Sequence, residues 1–156
     1  MKAIYILTAF FLLPLISNSQ GSYEKNGLSY DQSGQLLNGK FTQTSAEDQT
    51  TKVYNFTNGL LDGESLIYAS NGNLIEMGLY VDGQKHGKWS NWTPDGIKTG
   101  EIKFNHGQRD GKWQIWDENG ILRYVMYYEV GEKVGTWMVY NETGELQQEK
   151  DYTKSL

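Results

Sequence analysis

The sequence predicts an all-β chain assembled from repeated two-stranded hairpins, and three observations carry that prediction. Glycine recurs every 24 residues in three parallel series: Gly59, Gly83, Gly107 and Gly131; Gly63, Gly87, Gly111 and Gly135; Gly72, Gly96, Gly120 and Gly144. Aromatic residues keep the same interval in columns, with Phe56, Tyr80, Phe104, Tyr128 and Tyr152 in one, Tyr68, Trp92, Trp116 and Tyr140 in another, and Trp89, Trp113 and Trp137 in a third. The stretches between glycines are short, eight residues between Gly111 and Gly120 and ten between Gly120 and Gly131. Helices of that length are marginal, and an interior Gly costs about 1 kcal/mol against Ala. A fixed internal period of this size is the mark of a repeat architecture.

Each unit reads as two strands and two turns. In the unit with the plainest signals, 87–92 is a strand, Thr93-Pro94-Asp95-Gly96 a turn, and 97–104 the returning strand. A link over 105–110 carries Gly107 into the next unit. Alternation supports strand: Ile102 with Phe104, and Leu122 with Tyr124, Met126 and Tyr128, fall on one face. Asn-Gly and Asp-Gly pairs, at 38–39, 58–59, 62–63, 71–72, 82–83, 95–96, 110–111 and 119–120, suit turns that need positive φ. Trp89 and Trp92 stand three apart, as do Trp113 and Trp116. Either a bulge realigns them or each sheet face carries its own aromatic stripe.

The frame extends backwards in degraded form. Gly39 lies one period before Gly63, but Gln35 and Asp48 stand where the other series would place glycine, and Ser65 stands where later units have Trp. Stacked repeats commonly degrade at their ends, where one side faces solvent. The expected organisation is a signal peptide over 1–19, a lead-in over 20–34, and a repeat domain over 35–156 with frames near 35–58, 59–82, 83–106, 107–130 and 131–154.

The start of the chain, MKAIYILTAFFLLPLISNS, has Lys2 as its only charge and an apolar run from Ala3 to Ile16. Small residues at 17 and 19 fit cleavage before Gln20. That run is shorter than the roughly 20 residues a spanning helix needs, so export without stable membrane insertion is expected, to periplasm, outer envelope or extracellular space. Removing it leaves thirteen basic residues against nineteen acidic, a charge of −6. An acidic chain without a Lys/Arg cluster disfavours nucleic acid and anionic membrane as partners. Cysteine is absent. Stability therefore falls to five Trp and sixteen Tyr and Phe, which bury large areas and favour strands. Trp113→Ala, with column neighbours on both sides, is expected to cost about 3 to 5 kcal/mol.

The cycle Asp82-Gly83-Gln84-Lys85-His86-Gly87-Lys88-Trp89-Ser90-Asn91-Trp92 followed by Gly96 resembles the MORN-repeat variant found in tandem in many bacterial proteins, including those labelled YwqK-type antitoxins. It recurs from Gly107 to Trp116 with Gly120, and from Gly131 to Tyr140 with Gly144. The resemblance implies hairpins stacked side by side in an elongated, curved antiparallel sheet. The family label implies an antitoxin or immunity role as an alternative function.

Catalytic chemistry finds little to work with. There is no cysteine and no nucleophile-elbow serine, and His86 and His106 lie on links in different columns. Two histidines make no zinc set, and the aspartates 62, 82, 95 and 110 are spread over turns rather than clustered for calcium. Glu76, Glu101 and Asp117 carry no mark of a glycosidase pair. The expectation is a non-enzymatic protein with no cofactor and no metal. Its partner is expected to be a protein, with a glycan as the alternative, and the candidate contacts are Tyr68, Trp92, Trp116 and Tyr140, the column beside the turns.

Overall fold

The computed structural model describes residues 21–47 and 49–153; the signal-like run 1–19 lies outside them. Among the described residues there are fourteen strands and no helix. A lead-in hairpin pairs β1 (Tyr23–Lys25) with β2 (Leu28–Tyr30). The repeats then supply β3 (Gly39–Thr44), β4 (Thr51–Thr57), β5 (Leu60–Leu61), β6 (Gly63–Tyr68) and β7 (Leu74–Val81). They continue through β8 (Gln84–Trp92), β9 (Lys98–Asn105), β10 (Gln108–Arg109), β11 (Gly111–Trp116), β12 (Leu122–Glu129), β13 (Glu132–Tyr140) and β14 (Leu146–Asp151). These form one open antiparallel sheet in the order β14-β13-β12-β11-β9-β8-β7-β6-β4-β3, with β10 on β9 and β5 on β4. The all-β hairpin stack expected from the 24-residue period is therefore what the chain forms.

Two turn types alternate along the chain. Long turns are three-residue loops in which a type I turn ends on a positive-φ glycine: Gly96 N–H donates to Thr93 C=O and Thr93 N–H to Ile97 C=O. The same bonds close 69–73, 117–121 and 141–145. Pro94 suits its place because its fixed φ matches the first central position. Short turns are two-residue connections with both φ values positive, the arrangement that follows strand twist. They sit at Asn58-Gly59, Asp82-Gly83, His106-Gly107 and Val130-Gly131, and also at Asn26-Gly27 in the lead-in. Of the eight Asn-Gly and Asp-Gly pairs read from the sequence, only 58–59 and 82–83 have both residues at positive φ. At the others the glycine alone turns left-handed. Adjacent short turns are stitched together, since the glycine N–H of each donates to a carbonyl 22 residues back: Gly59 to Leu37, Gly83 to Leu61, Gly107 to Lys85, Gly131 to Arg109.

The strand entering each unit carries a two-residue register shift. Met77 pairs with Ser90 but Leu79 with His86, so Gly78 faces three residues, Gly87, Lys88 and Trp89. Met126 likewise faces 135–137. Gly87 and Gly135 take φ of 66° and 60° there, a conformation that an L side chain resists. This shift is even and keeps the alternation, but a one-residue shift before each long turn, at Asn91/Trp92 and Ile115/Trp116, makes a bulge. The bulge puts Lys98 and Leu122 on the side opposite Ile102 and Met126, so Leu122 does not share the face of Tyr124, Met126 and Tyr128 as the spacing predicts. Paired residues share a face, which puts Trp89 with Ile102 and Trp113 with Met126 on one side and Trp92 with Lys98 and Trp116 with Leu122 on the other. The two tryptophans of a unit thus belong to separate stripes, one on each face of the sheet.

The first face carries a line of rings, while the buried Val53 and Val125 fall on the other face. Tyr80, Trp89, Phe104, Trp113, Tyr128, Trp137 and Tyr152 follow one another with centroids 5.1, 6.3, 5.2, 5.1, 5.0 and 4.8 Å apart. Residues of one column were expected to stand directly beside their equivalents. Instead the Trp column and the Tyr/Phe column interleave, because equivalents lie two strands apart and the intervening strand supplies the other ring. Lys85, Arg109 and Lys133 cap this line, with the Lys85 ammonium 3.7 Å from the Trp89 ring centre and that of Lys133 4.4 Å from Trp137. The Arg109 guanidinium lies 5.1 Å from the Tyr128 ring and donates to its hydroxyl at 3.0 Å.

Burial is deepest earlier in the line than expected. Trp89 is 0% exposed, whereas Trp113 is only half-buried. Trp113 and Trp137 each donate their indole N–H to a carbonyl on the neighbouring strand, of Lys103 at 2.8 Å and Tyr127 at 3.0 Å. Trp89 makes no such bond and lies instead on Gly78, where an added Cβ would come within 2.1 Å of Cδ2. Ile102 and Met126 occupy Gly78's place in later units. Gly78 and Ser65 together free the room into which the Trp89 ring settles.

Two expectations follow. Val130 is the β-branched member of the positive-φ turn residues and is 61% exposed, so Val130→Asn relieves strain without losing packing. That variant should gain about 1 kcal/mol in a urea titration; an unchanged midpoint would contradict the strain argument. Trp89→Ala should cost about 3 to 5 kcal/mol and exceed the loss from the half-buried Trp113→Ala, measured by urea titration.

Candidate interaction surface

The four candidate contacts hold one structural position. Each ends a strand, precedes a long turn, and faces the first residue of the returning strand: Tyr68 opposite Leu74, Trp92 opposite Lys98, Trp116 opposite Leu122, Tyr140 opposite Leu146. The structure sets them on the face away from the ring line, and all four are half-buried. Among the described residues no two of them make a ring contact with each other. Their polar surroundings are local: the Lys98 ammonium lies 5.6 Å from the Trp116 ring centre, and the Tyr140 hydroxyl is 3.3 Å from Met138 Sδ. The row is a partly exposed edge in which aromatic residues face Leu74, Lys98, Leu122 and Leu146.

Ion pairs gather on this same face. Glu101 takes Lys88 at 2.9 Å and is also bridged by Lys98. Lys103 meets Asp110 at 3.1 Å, and Arg123 meets Asp117 at 3.4 Å. Hydrogen bonds from Lys98 and then Lys88 hold the Glu101 carboxyl below its usual range. Asp117 is also lowered, first by the Ile121 N–H and then by the Asn119 N–H, because its carboxylate closes the long turn over 117–121. On the ring side, Glu76 accepts from the Asn91 amide at 3.0 Å. Burial, followed by the charges of Tyr54 and Glu76, pushes the Tyr80 phenol up to about 12. Tyr80 therefore stays protonated at neutral pH. Glu76, Glu101 and Asp117 are each engaged in holding the sheet or its turns.

His86 and His106 were placed apart by their columns, and the structure brings them together. Their rings are 4.7 Å apart, and the His106 N–H donates to His86 Nδ1 at 3.4 Å. Adjacent short turns stack 24 residues out of phase, so a residue just after one turn meets the turn residue 20 positions later. No group of three or more His, Cys, Asp or Glu is arranged to hold a metal among the described residues. No helix there is long and apolar enough to cross a membrane.

The family described as the MORN repeat variant matches residues 61–82, 109–129 and 133–154. Three of the chain's units thus match the MORN-variant repeat. No curated protein matches the chain. The matched stretches take in Tyr68, Trp116 and Tyr140, while Trp92 falls in the intervening unit, whose strands nonetheless keep the same register. MORN repeats are generally protein- or membrane-interaction modules, and the repeat is itself a non-catalytic unit. What the sequence reading passed over is the basic series Lys85, Arg109 and Lys133 at the same 24-residue interval. Its signal lies in the 24-residue period, and a net charge of −5 conceals it.

The lowered Glu101 carboxyl gives a pH test. A carboxylate depressed in the folded state contributes stability at pH values above its unfolded pKa, and loses that contribution as pH falls through its folded pKa. Glu101→Gln should therefore be less stable than wild type at neutral pH, and the gap should close on acidification. Urea midpoints measured from neutral to acid pH would show it; a gap that is constant with pH contradicts the assignment.

Proposed function

We propose that this chain is a non-enzymatic, exported repeat protein that serves as a protein-interaction or scaffolding module of the cell envelope. The observation that carries the reading is an open sheet with an aromatic stripe on each face and neither face covered by another layer of the described chain. Extended repeat sheets of this kind offer contact area rather than a site for chemistry. The row of Tyr68, Trp92, Trp116 and Tyr140 supplies large, partly exposed anchors of the type that dominate protein interfaces. Export rests on the apolar run at the start of the sequence.

The test is an affinity pull-down from the native envelope fraction with the mature chain from Gln20, beside a Trp92→Ala/Trp116→Ala variant. The expected result is a protein captured by wild type and lost by a variant whose melting remains cooperative. No captured protein, or one retained equally by the variant, sinks the reading for this face. Capture of peptidoglycan or another glycan in its place would support the carbohydrate alternative.

A further inference from the structure

The cations of this sheet are divided by face. Those in ion pairs, Lys88, Lys98, Lys103 and Arg123, belong with the Trp92 side or its turns. Those on the ring line, Lys85, Arg109 and Lys133 at the 24-residue interval and Lys150 beside the terminal Tyr152, have no carboxylate within ion-pairing distance among the described residues and lie beside aromatic rings. Register places them there, since Lys85 faces Tyr80, Arg109 faces Phe104 and Lys133 faces Tyr128. By the same alternation Glu129 and Glu132 fall on the opposite side, and Glu76 is the one strand carboxylate of the 12-stranded sheet that shares the ring face. A chain with net charge −5 thus keeps a row of positive charge without carboxylate partners on this face.

The spacing of that row selects a ligand shape. Equivalent residues are two strands apart, so successive cations are spaced at about 9.6 Å. A polyproline II segment has three residues per turn and rises about 9.3 Å in doing so, which puts every third side chain on one face at nearly the same pitch. Aromatic surfaces also favour such segments, whose backbone is already extended and loses little freedom on docking. Lys85 is half-buried over Trp89 while Arg109 and Lys133 are exposed beside their rings, so a chain lying along the ladder can bring a carboxylate to each in turn.

We propose that the ring face binds an acidic, extended polypeptide segment that runs across the strands, with carboxylates at every third residue meeting Lys85, Arg109 and Lys133. The inference rests on the interaction-module reading but uses the opposite face, so Trp92 and Trp116 play no part in it.

The test is a titration of the mature chain with a peptide of Glu-Pro-Pro repeats, against Lys-Pro-Pro repeats and against vesicles containing phosphatidylglycerol. The expected result is saturable binding of the acidic peptide that weakens with added salt and falls about tenfold in Arg109→Gln/Lys133→Gln. Arg109→Lys should retain it, and Lys112→Gln, on the other face, should leave it unchanged. Unaltered urea midpoints in each variant separate lost contact from lost fold. Failure of the acidic peptide to bind, equal weakening by Lys112→Gln, or binding to the vesicles alone overturns the proposal. Because Trp92→Ala/Trp116→Ala should still bind the peptide, loss of the envelope partner in that variant and loss of peptide binding here are separate results.

Discussion

Everything in this sheet depends on edge-on contact between rings of neighbouring strands. A single layer of strands has no second layer to bury its apolar surface against, and an isolated hairpin is marginal in water. The chain meets this by placing a Trp or a Tyr/Phe on every strand from β7 to β13 except the two-residue β10, with Tyr152 just past β14, so that each ring meets its neighbours along the sheet. Aromatic pairs in tilted or edge contact add about 0.5 to 1.5 kcal/mol each beyond the area they bury. The contacts run sideways, so the glycines become requirements rather than conveniences. The short turns keep β8 and its equivalents tight against the strand before, and their glycine N–H groups tie each unit to the one before.

The 24-residue period made the hairpins and the long turns legible, because glycine, proline and paired Asn or Asp have direct backbone meaning. Face assignment was not legible. It needs register, and register depended on the shift opposite Gly78 and Met126, which no residue type announces. For the same reason the interleaving of the two ring columns could not be read from either column alone. The short turn at Val130-Gly131 escaped because valine is a poor occupant of positive φ, and His106-Gly107 because histidine is an uncommon one. The His86 and His106 contact follows from how successive short turns overlap, a property of the stack and not of either turn. The candidate row beside the long turns could be named from its column, but not the side on which it lies.

Charge follows the same division of faces. Ring surfaces attract cations, so Lys85, Arg109 and Lys133 can lie on the ladder without carboxylate partners. On the other face no continuous ring line exists, and the lysines pair with Glu101 and Asp110. An acidic total charge therefore conceals two surfaces of different character, and only one of them is internally neutralised. Each face can vary without disturbing the other, since alternate residues on a strand do not share neighbours.

The unit containing Ser65 shows how far the ladder can be altered. Losing a Trp there removes a ring from the line, yet the next ring, Trp89, becomes the most buried side chain of its kind in the protein. Gly78 makes this possible, because any Cβ at that position would collide with the indole. The accommodation has a cost, since the Trp89 N–H and the Ser65 hydroxyl are left buried without a partner, bonds that Trp113 and Trp137 do make. Leaving a buried polar group unpaired costs about 1 to 3 kcal/mol. Full burial of an indole returns an amount of the same order. The second unit is thus held by a compensation between two positions thirteen residues apart, Ser65 and Gly78, and neither substitution is interpretable without the other.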